Sequence, residues 1–309
     1  MSTQNSSHIG SYAHLHFLVL IWGITAVLGK LISIPAMEVV FYRTFFAFIV
    51  LYFIVKFRKS PLAIGKRNFY AIFGTGSIIA SHWILFFLAA RVSNVSICLA
   101  GMATTSIWTS ILEPIMLKRK IKMYEPILGL IALVGISVVF RSVIDQYIGF
   151  LIAVFSAMLS SIFTIINGQL VKKSDHYVIS FYQMLGACIC TLIFMLIYSY
   201  GISGNSIQWD MTQSDLIYLS VLSLICTVYA YSASIKLMHK LSAFAINLTI
   251  NLEPVYGIIL AVLIFGNSEY MGTSFYWGTL IILISVLLYP IFSYFERKRN
   301  SIVFTQGSE

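Results

Sequence analysis

Glu253 is the only charged residue in the stretch 241–266, LSAFAINLTINLEPVYGIILAVLIFG. On a helix rising about 1.5 Å per residue it would lie roughly 18 Å from position 241, near the middle of a hydrocarbon core about 30 Å thick. A carboxylate at that depth costs a few kcal/mol or more, so it faces protein or water and is a candidate for binding a cationic group or carrying a proton. Pro254 has no amide proton to donate and frees the carbonyl of Ile250, while Asn247, Thr249 and Asn251 add polar groups within two turns. The competing reading is a kinked helix whose acid is neutral and bonded to its neighbours.

Other polar residues in apolar surroundings extend the candidate set. Arg43 would sit about 9 Å inside its span, where it either snorkels or offers its planar five-donor fork to a carboxylate. Ser106, Thr109, Ser110 and Glu113 share one sector of a helix, a polar stripe that has to face a bundle interior or cavity, with Trp108 roughly a quarter turn or more away. Glu113 could instead pair with Lys118 or Arg119. His82, beside Trp83, is either a proton relay or a neutral imidazole bonded to a hydroxyl. Tyr229 and Tyr231 offer aromatic surface with a polar handle, useful in an organic-substrate pocket and equally ordinary in packing. Ala153, Ala157 and Ser161 carry the four-residue small spacing of close helix packing. Trp22 and Lys30 read as interfacial belt and snorkelling residues.

These residues need apolar elements to hold them, and composition supplies little else. Of 309 residues 59% are hydrophobic and 10% charged, with a mean hydropathy of +0.89, so the chain reads as an all-α polytopic membrane protein. Hydropathy predicts ten spans: 14–32, 37–55, 69–90, 95–117, 124–140, 148–170, 178–200, 214–235, 242–265 and 273–292. The first apolar segment lacks a basic n-region and a small-residue cleavage site, so no removable signal peptide is expected. Sixteen Lys and Arg, Lys120 and Lys122 among them, fall on the side of the N-terminus against three, Lys30, Arg91 and Arg141, on the other. Both termini are therefore expected in the cytoplasm. The net charge of +9 is spread over short loops and forms no nucleic-acid patch. Cys98, Cys188, Cys190 and Cys226 all lie in apolar spans and imply neither disulfide nor metal.

The chain also repeats weakly. Phe41-Tyr42-Arg43 recurs as Phe181-Tyr182-Gln183, and Leu112-Glu113-Pro114 as Leu252-Glu253-Pro254, both 140 residues on. Gln183 thus pairs with Arg43, and the kink residues Pro114 and Pro254 pair with each other. Five spans per half is an odd number, so the halves are expected upside down to one another, as in many secondary transporters.

The ten-span pattern, Trp22-Gly23 with Lys30 downstream, Arg43, the run Ala90-Arg91-Val92-Ser93, the two Glu-Pro pairs, and Gly129, Gly135, Gly272 and Gly278 together resemble the drug/metabolite transporter superfamily, and more narrowly its bacterial EamA type. The likeness covers residues 14–292. It implies a carrier of amino acids or other small metabolites, often directed outward, in a bacterial inner membrane; relatives move nucleotide sugars or triose phosphates.

The organisation expected is a cytosolic tail 1–13, five-helix repeats at 14–143 and 144–292, and a cytosolic tail 293–309. The function expected is secondary transport of small organic metabolites, with a zwitterion held between Arg43 and Glu253 and a cavity of a few hundred Å³ lined by Arg43, Glu113 and Glu253. Partners are the substrate, the bilayer and, as candidates, protons and a second copy of the chain. No cofactor, metal or nucleic acid is expected. No enzymatic motif such as His-Glu-x-x-His, no phosphate-cradling loop and no soluble nucleotide-binding domain occurs. The alternatives are a carrier of phosphorylated or nucleotide-linked metabolites and a membrane subunit that transports nothing.

Overall fold

The computed structural model describes residues 2–119, 124–204 and 206–306, and these form helices joined by short turns and loops, without strands. In chain order the α-helices are α1 (Ser2–Gly23), α2 (Thr25–Leu31), α3 (Ala36–Phe57), α4 (Lys66–Val92), α5 (Val95–Met102), α6 (Thr105–Leu117), α7 (Tyr124–Ser142), α8 (Tyr147–Leu170), α9 (His176–Leu196), α10 (Gln213–Ser220), α11 (Ala230–Leu237), α12 (Ala243–Ile250), α13 (Glu253–Phe265) and α14 (Thr273–Gln306). A π-helical stretch, Val221–Tyr229, joins α10 to α11.

Eight helical stretches among the described residues are long and apolar enough to cross a membrane, including Gly10–Leu31, Val95–Leu117 and Ala243–Ser268. Shorter apolar helices, Ile127–Ser142 and Thr273–Ser285, fall where the fifth and tenth spans were expected. Lys120 and Lys122, two of the loop cations counted above, lie outside the described residues.

Two of the long stretches are broken in the same way. α5 has 8 residues and α6 has 13, separated by Ala103-Thr104. α12 has 8 and α13 has 13, separated by Asn251-Leu252. The side chain of Asn94 caps α5 by accepting from Ile97 N at 2.8 Å, and that of Ser242 caps α12 by accepting from Ala245 N at 3.1 Å. Element for element, Val95 corresponds to Ala243 and Thr105 to Glu253, an offset of 148 residues. The two Leu-Glu-Pro triplets, 140 residues apart, therefore fall at different positions in the helices that carry them. Glu113 sits deep in α6, whereas Glu253 opens α13, and Pro254 lies in a first helical turn where its missing N–H costs nothing. α3 and α9 start 140 residues apart, at Ala36 and His176, the same spacing as Arg43 and Gln183.

Small residues bring the helices together. A Cβ on Gly76 of α4 would lie 2.5 Å from Gln183 O and 2.7 Å from Ala187 N of α9. A Cβ on Gly135 of α7 would lie 2.9 Å from Gly278 O of α14, and one on Gly278 would lie 2.9 Å from Gly135 O. Where hydrocarbon surrounds the bundle, such backbone approach is the main source of helix association.

Candidate functional site

Seven helical stretches converge on a buried cavity of about 70 Å³. Its polar lining includes Trp22, Thr25, Arg43, His82, Ser160, Asn167, Tyr231 and Glu253, and its apolar lining includes Trp83, Phe163 and Ile250. At roughly 10–15 Å³ per water it holds about five solvent molecules. Glu253 reaches it because the break at Asn251-Leu252 places this residue at the start of a new helix, with its carboxyl end turned inward.

Arg43 is 3% exposed, so it does not snorkel. Its guanidinium lies 3.9 Å from the Trp83 ring centroid and 5.9 Å from that of Phe87, and its Nε donates to Thr227 Oγ1 at 2.8 Å. The aromatic faces and one hydroxyl hold the cation while occupying only part of its five-donor fork. Among the described residues Arg43 and Glu253 form no ion pair within 4.0 Å, yet both line the same cavity. Opposite charges thus face a small shared space.

Behind Arg43 three buried side chains close a hydrogen-bonded ring. Asn167 Nδ2 donates to Tyr231 OH at 2.9 Å, Tyr231 OH donates to Gln183 Oε1 at 2.8 Å, and Gln183 Nε2 donates to Asn167 Oδ1 at 2.6 Å. The ring satisfies all three groups and fixes the Tyr231 and Asn167 faces that line the cavity. His82 is bonded on its Nδ1 side: that nitrogen is 3.0 Å from Ser156 O, while Ser156 Oγ donates to His82 O at 2.8 Å. The same nitrogen lies 2.8 Å from Ser156 Oγ, so the imidazole is held by both polar atoms of Ser156 that face it.

Several expected site residues lie elsewhere. Gln183 is one layer behind the cavity, acting through the ring. Asn247 and Asn251 face α6, their amides donating to Thr109 Oγ1 at 2.7 Å and Ser106 Oγ at 2.6 Å, and neither lines the cavity. Tyr229 is 44% exposed and its hydroxyl meets His14 Nε2 at 3.0 Å. Trp108 is outside the lining. Glu113 pairs with Arg119 at 3.4 Å and lines a separate cavity of about 320 Å³ with Gln169, Lys172, His239 and Lys240, so the single chamber expected from the sequence is two. Trp22 is no belt residue: its indole donates to Cys226 O at 3.0 Å at the cavity wall.

At the end of the bundle marked by Lys30, carboxylates from late in the chain hold segments from early in it. Glu269 accepts from Lys30 Nζ at 2.6 Å and from the backbone amides of Val95 at 3.0 Å and Ser96 at 2.8 Å. It thereby occupies the positive end of α5. Asp215 accepts from Ser33 N and Ser33 Oγ, both at 2.7 Å, and from Thr212 Oγ1 at 2.8 Å. Lys30 therefore is a clamp residue and not a snorkelling one. Neither acid was singled out from the sequence, because both border apolar spans, where charges read as solvated.

A helical membrane bundle with a buried cavity lined by both signs of charge has the makings of a solute carrier. Residues 13–141 and 147–290 each match the EamA-like transporter family. The chain belongs to that family, and is a multi-pass membrane protein with a transport role. It is 21% identical over 222 residues to an uncharacterized transporter of Clostridium kluyveri, which covers 69% of this chain and 70% of that protein. A solved crystal structure at 12% identity superposes with a TM-score of 0.65 over 90% of this chain and 95% of its own, a likeness of fold.

Proposed function

We propose that this chain is a secondary carrier of small zwitterionic metabolites, amino acids being the leading class, that exports them across a bacterial inner membrane. The observation that carries this reading is the cavity shared by Arg43 and Glu253. A substrate carboxylate would take the unused donors of Arg43, and its ammonium group the Glu253 carboxylate. Arg43 is the one Lys or Arg in the lining, which disfavours phosphorylated substrates, since these need more than one cation at pocket depth. A cavity of mixed charge likewise disfavours a sealed, non-transporting bundle.

We further propose ten spans in two inverted halves, 14–143 and 144–292, with both termini cytoplasmic. Support comes from the matched 8-and-13-residue broken helices and from the two family matches that divide the chain between 141 and 147. Helix neighbours also exchange as a two-fold axis requires: α1 packs on α13 as α8 packs on α6, and α4 packs on α9 as the Val221–Tyr229 stretch packs on α3. Two halves clamped at the Lys30 end and hollow at the Lys240 end suit a carrier that rocks between two openings.

Counterflow of labelled amino acids in proteoliposomes tests the site. With Glu253→Gln, loss of both counterflow and gradient-driven accumulation supports a substrate contact. Surviving counterflow with lost accumulation assigns Glu253 to proton coupling. Full activity in both Glu253→Gln and Arg43→Gln removes the cavity from the transport path.

A further inference from the structure

Of the residues that line the two cavities, one belongs to both: Met238. It follows the last residue of α11 and is 7% exposed. The Arg43–Glu253 cavity, at about 70 Å³, is well below the roughly 300–1,000 Å³ of pockets that hold organic ligands, whereas its neighbour, at about 320 Å³, falls within that range. A metabolite therefore does not enter the inner cavity unless a wall moves, and the wall on the Lys240 side carries a single unbranched thioether.

The backbone under that side chain is fixed. Met238 N donates to Ile235 O at 3.1 Å, Lys240 N to Leu237 O at 2.9 Å, and Ser242 then caps α12. The side chain has three rotatable bonds and needs no helix to move. Opposite it, the Lys30 end is closed by two carboxylates that together accept six hydrogen bonds quoted above, so opening there requires the helices themselves to part.

We propose that Met238 is the gate and size filter between a polar vestibule, lined by Glu113, Gln169, Lys172, His239 and Lys240, and the inner cavity. The substrate pauses in the vestibule, passes when the thioether swings aside, and merges the two volumes as it does so. This rests on the Arg43–Glu253 cavity being the substrate site, but its test does not use the substrate.

Ser160 lines the inner cavity and serves as a reporter. In full-length protein carrying Ser160→Cys, the rate of modification by methanethiosulfonate ethylammonium is measured in detergent, with the parent chain and its four native cysteines as the blank. Because reactivity follows the fraction of time the passage is open, Met238→Ala is expected to raise the rate about tenfold and Met238→Trp to lower it at least several-fold. Met238→Leu, close in volume, should stay within about twofold. Met238→Ala should also narrow the rate difference between this reagent and a bulkier aromatic methanethiosulfonate. Rates indifferent to Met238→Ala overturn the gate, whether or not the Trp variant folds. If the rates follow residue 238 while counterflow ignores Arg43→Gln and Glu253→Gln, the gate stands and the substrate site is elsewhere; the converse result keeps the site and removes the gate.

Discussion

Lys30 Nζ lies 2.6 Å from Glu269 Oε1, joining a cation at the end of α2 to a carboxylate with no solvent exposure. Because the Lys30 side chain is 27% exposed, removing Glu269 costs less than the ~3–5 kcal/mol of a fully buried pair. Part of that cost is relieved by opening the Lys30 end. In Glu269→Gln, a cysteine at Ser160 should become at least about tenfold more reactive to an impermeant reagent confined to the Lys30 side of oriented vesicles, since each 1.4 kcal/mol shifts an equilibrium tenfold. Unchanged labelling would show that the pair does not hold this end shut.

Arg43 Cζ lies over the Trp83 ring, 3.9 Å from its centroid, and a lysine ammonium reproduces neither the broad guanidinium contact nor the Nε donation to Thr227. Arg43→Lys should reduce counterflow by about tenfold or more. Trp83→Leu should weaken apparent affinity by up to about thirtyfold, the equivalent of roughly 2 kcal/mol for a desolvated cation–π contact. Equal activity of Arg43→Lys and the parent would refute a fork-specific role.

Tyr231→Phe removes the donor to Gln183 and the acceptor of Asn167 together. Leaving buried groups unpaired costs about 1–3 kcal/mol each, so thermal unfolding in detergent should occur several degrees lower. Gln183→Leu should cost a similar amount, and the double variant should lose less than the sum of the two single losses, because the Tyr231–Gln183 bond is removed only once. If the two losses add in full, the ring is not a coupled unit.

Gly76→Ala places a methyl 2.5 Å from Gln183 O, which is backbone and cannot swing away, whereas a methyl at Gly74 meets nothing within 4 Å. Gly76→Ala should lower the melting temperature or abolish expression. Gly74→Ala should be neutral or slightly stabilising, since alanine loses less backbone entropy. Equal behaviour of the two variants would mean that α4 and α9 are not this close.

What was legible in the sequence was the cost of charge in hydrocarbon. Arg43 and Glu253 declared themselves as lone charges in apolar runs, and the structure brings both to one cavity. The Phe-Tyr repeat runs at the spacing of the helices that hold it, since α3 and α9 also start 140 residues apart. The Leu-Glu-Pro repeat does not, because the later helices are displaced by eight further residues, which the repeated triplet conceals. Asn167 escaped notice near the end of an apolar span, where an amide reads as interfacial. Glu269 and Asp215 escaped because hydropathy records that a residue is polar but not whether another segment comes to meet it. Met238 was beyond reach for a different reason: an apolar side chain between two cavities has the same signature as one in a core.

α4 finds its closest neighbours in α8 and α9, and Gly76 meets a helix that begins about a hundred residues later in the chain. At roughly 5–20 residues per second of synthesis, that partner arrives about 5–20 s after α4 leaves the ribosome. During the wait, the small-residue face of α4 rests against lipid or the insertion machinery. A nascent chain halted before His176 therefore has its first half in the membrane with its tightest seam still unmade, a stage at which quality-control proteases would find it.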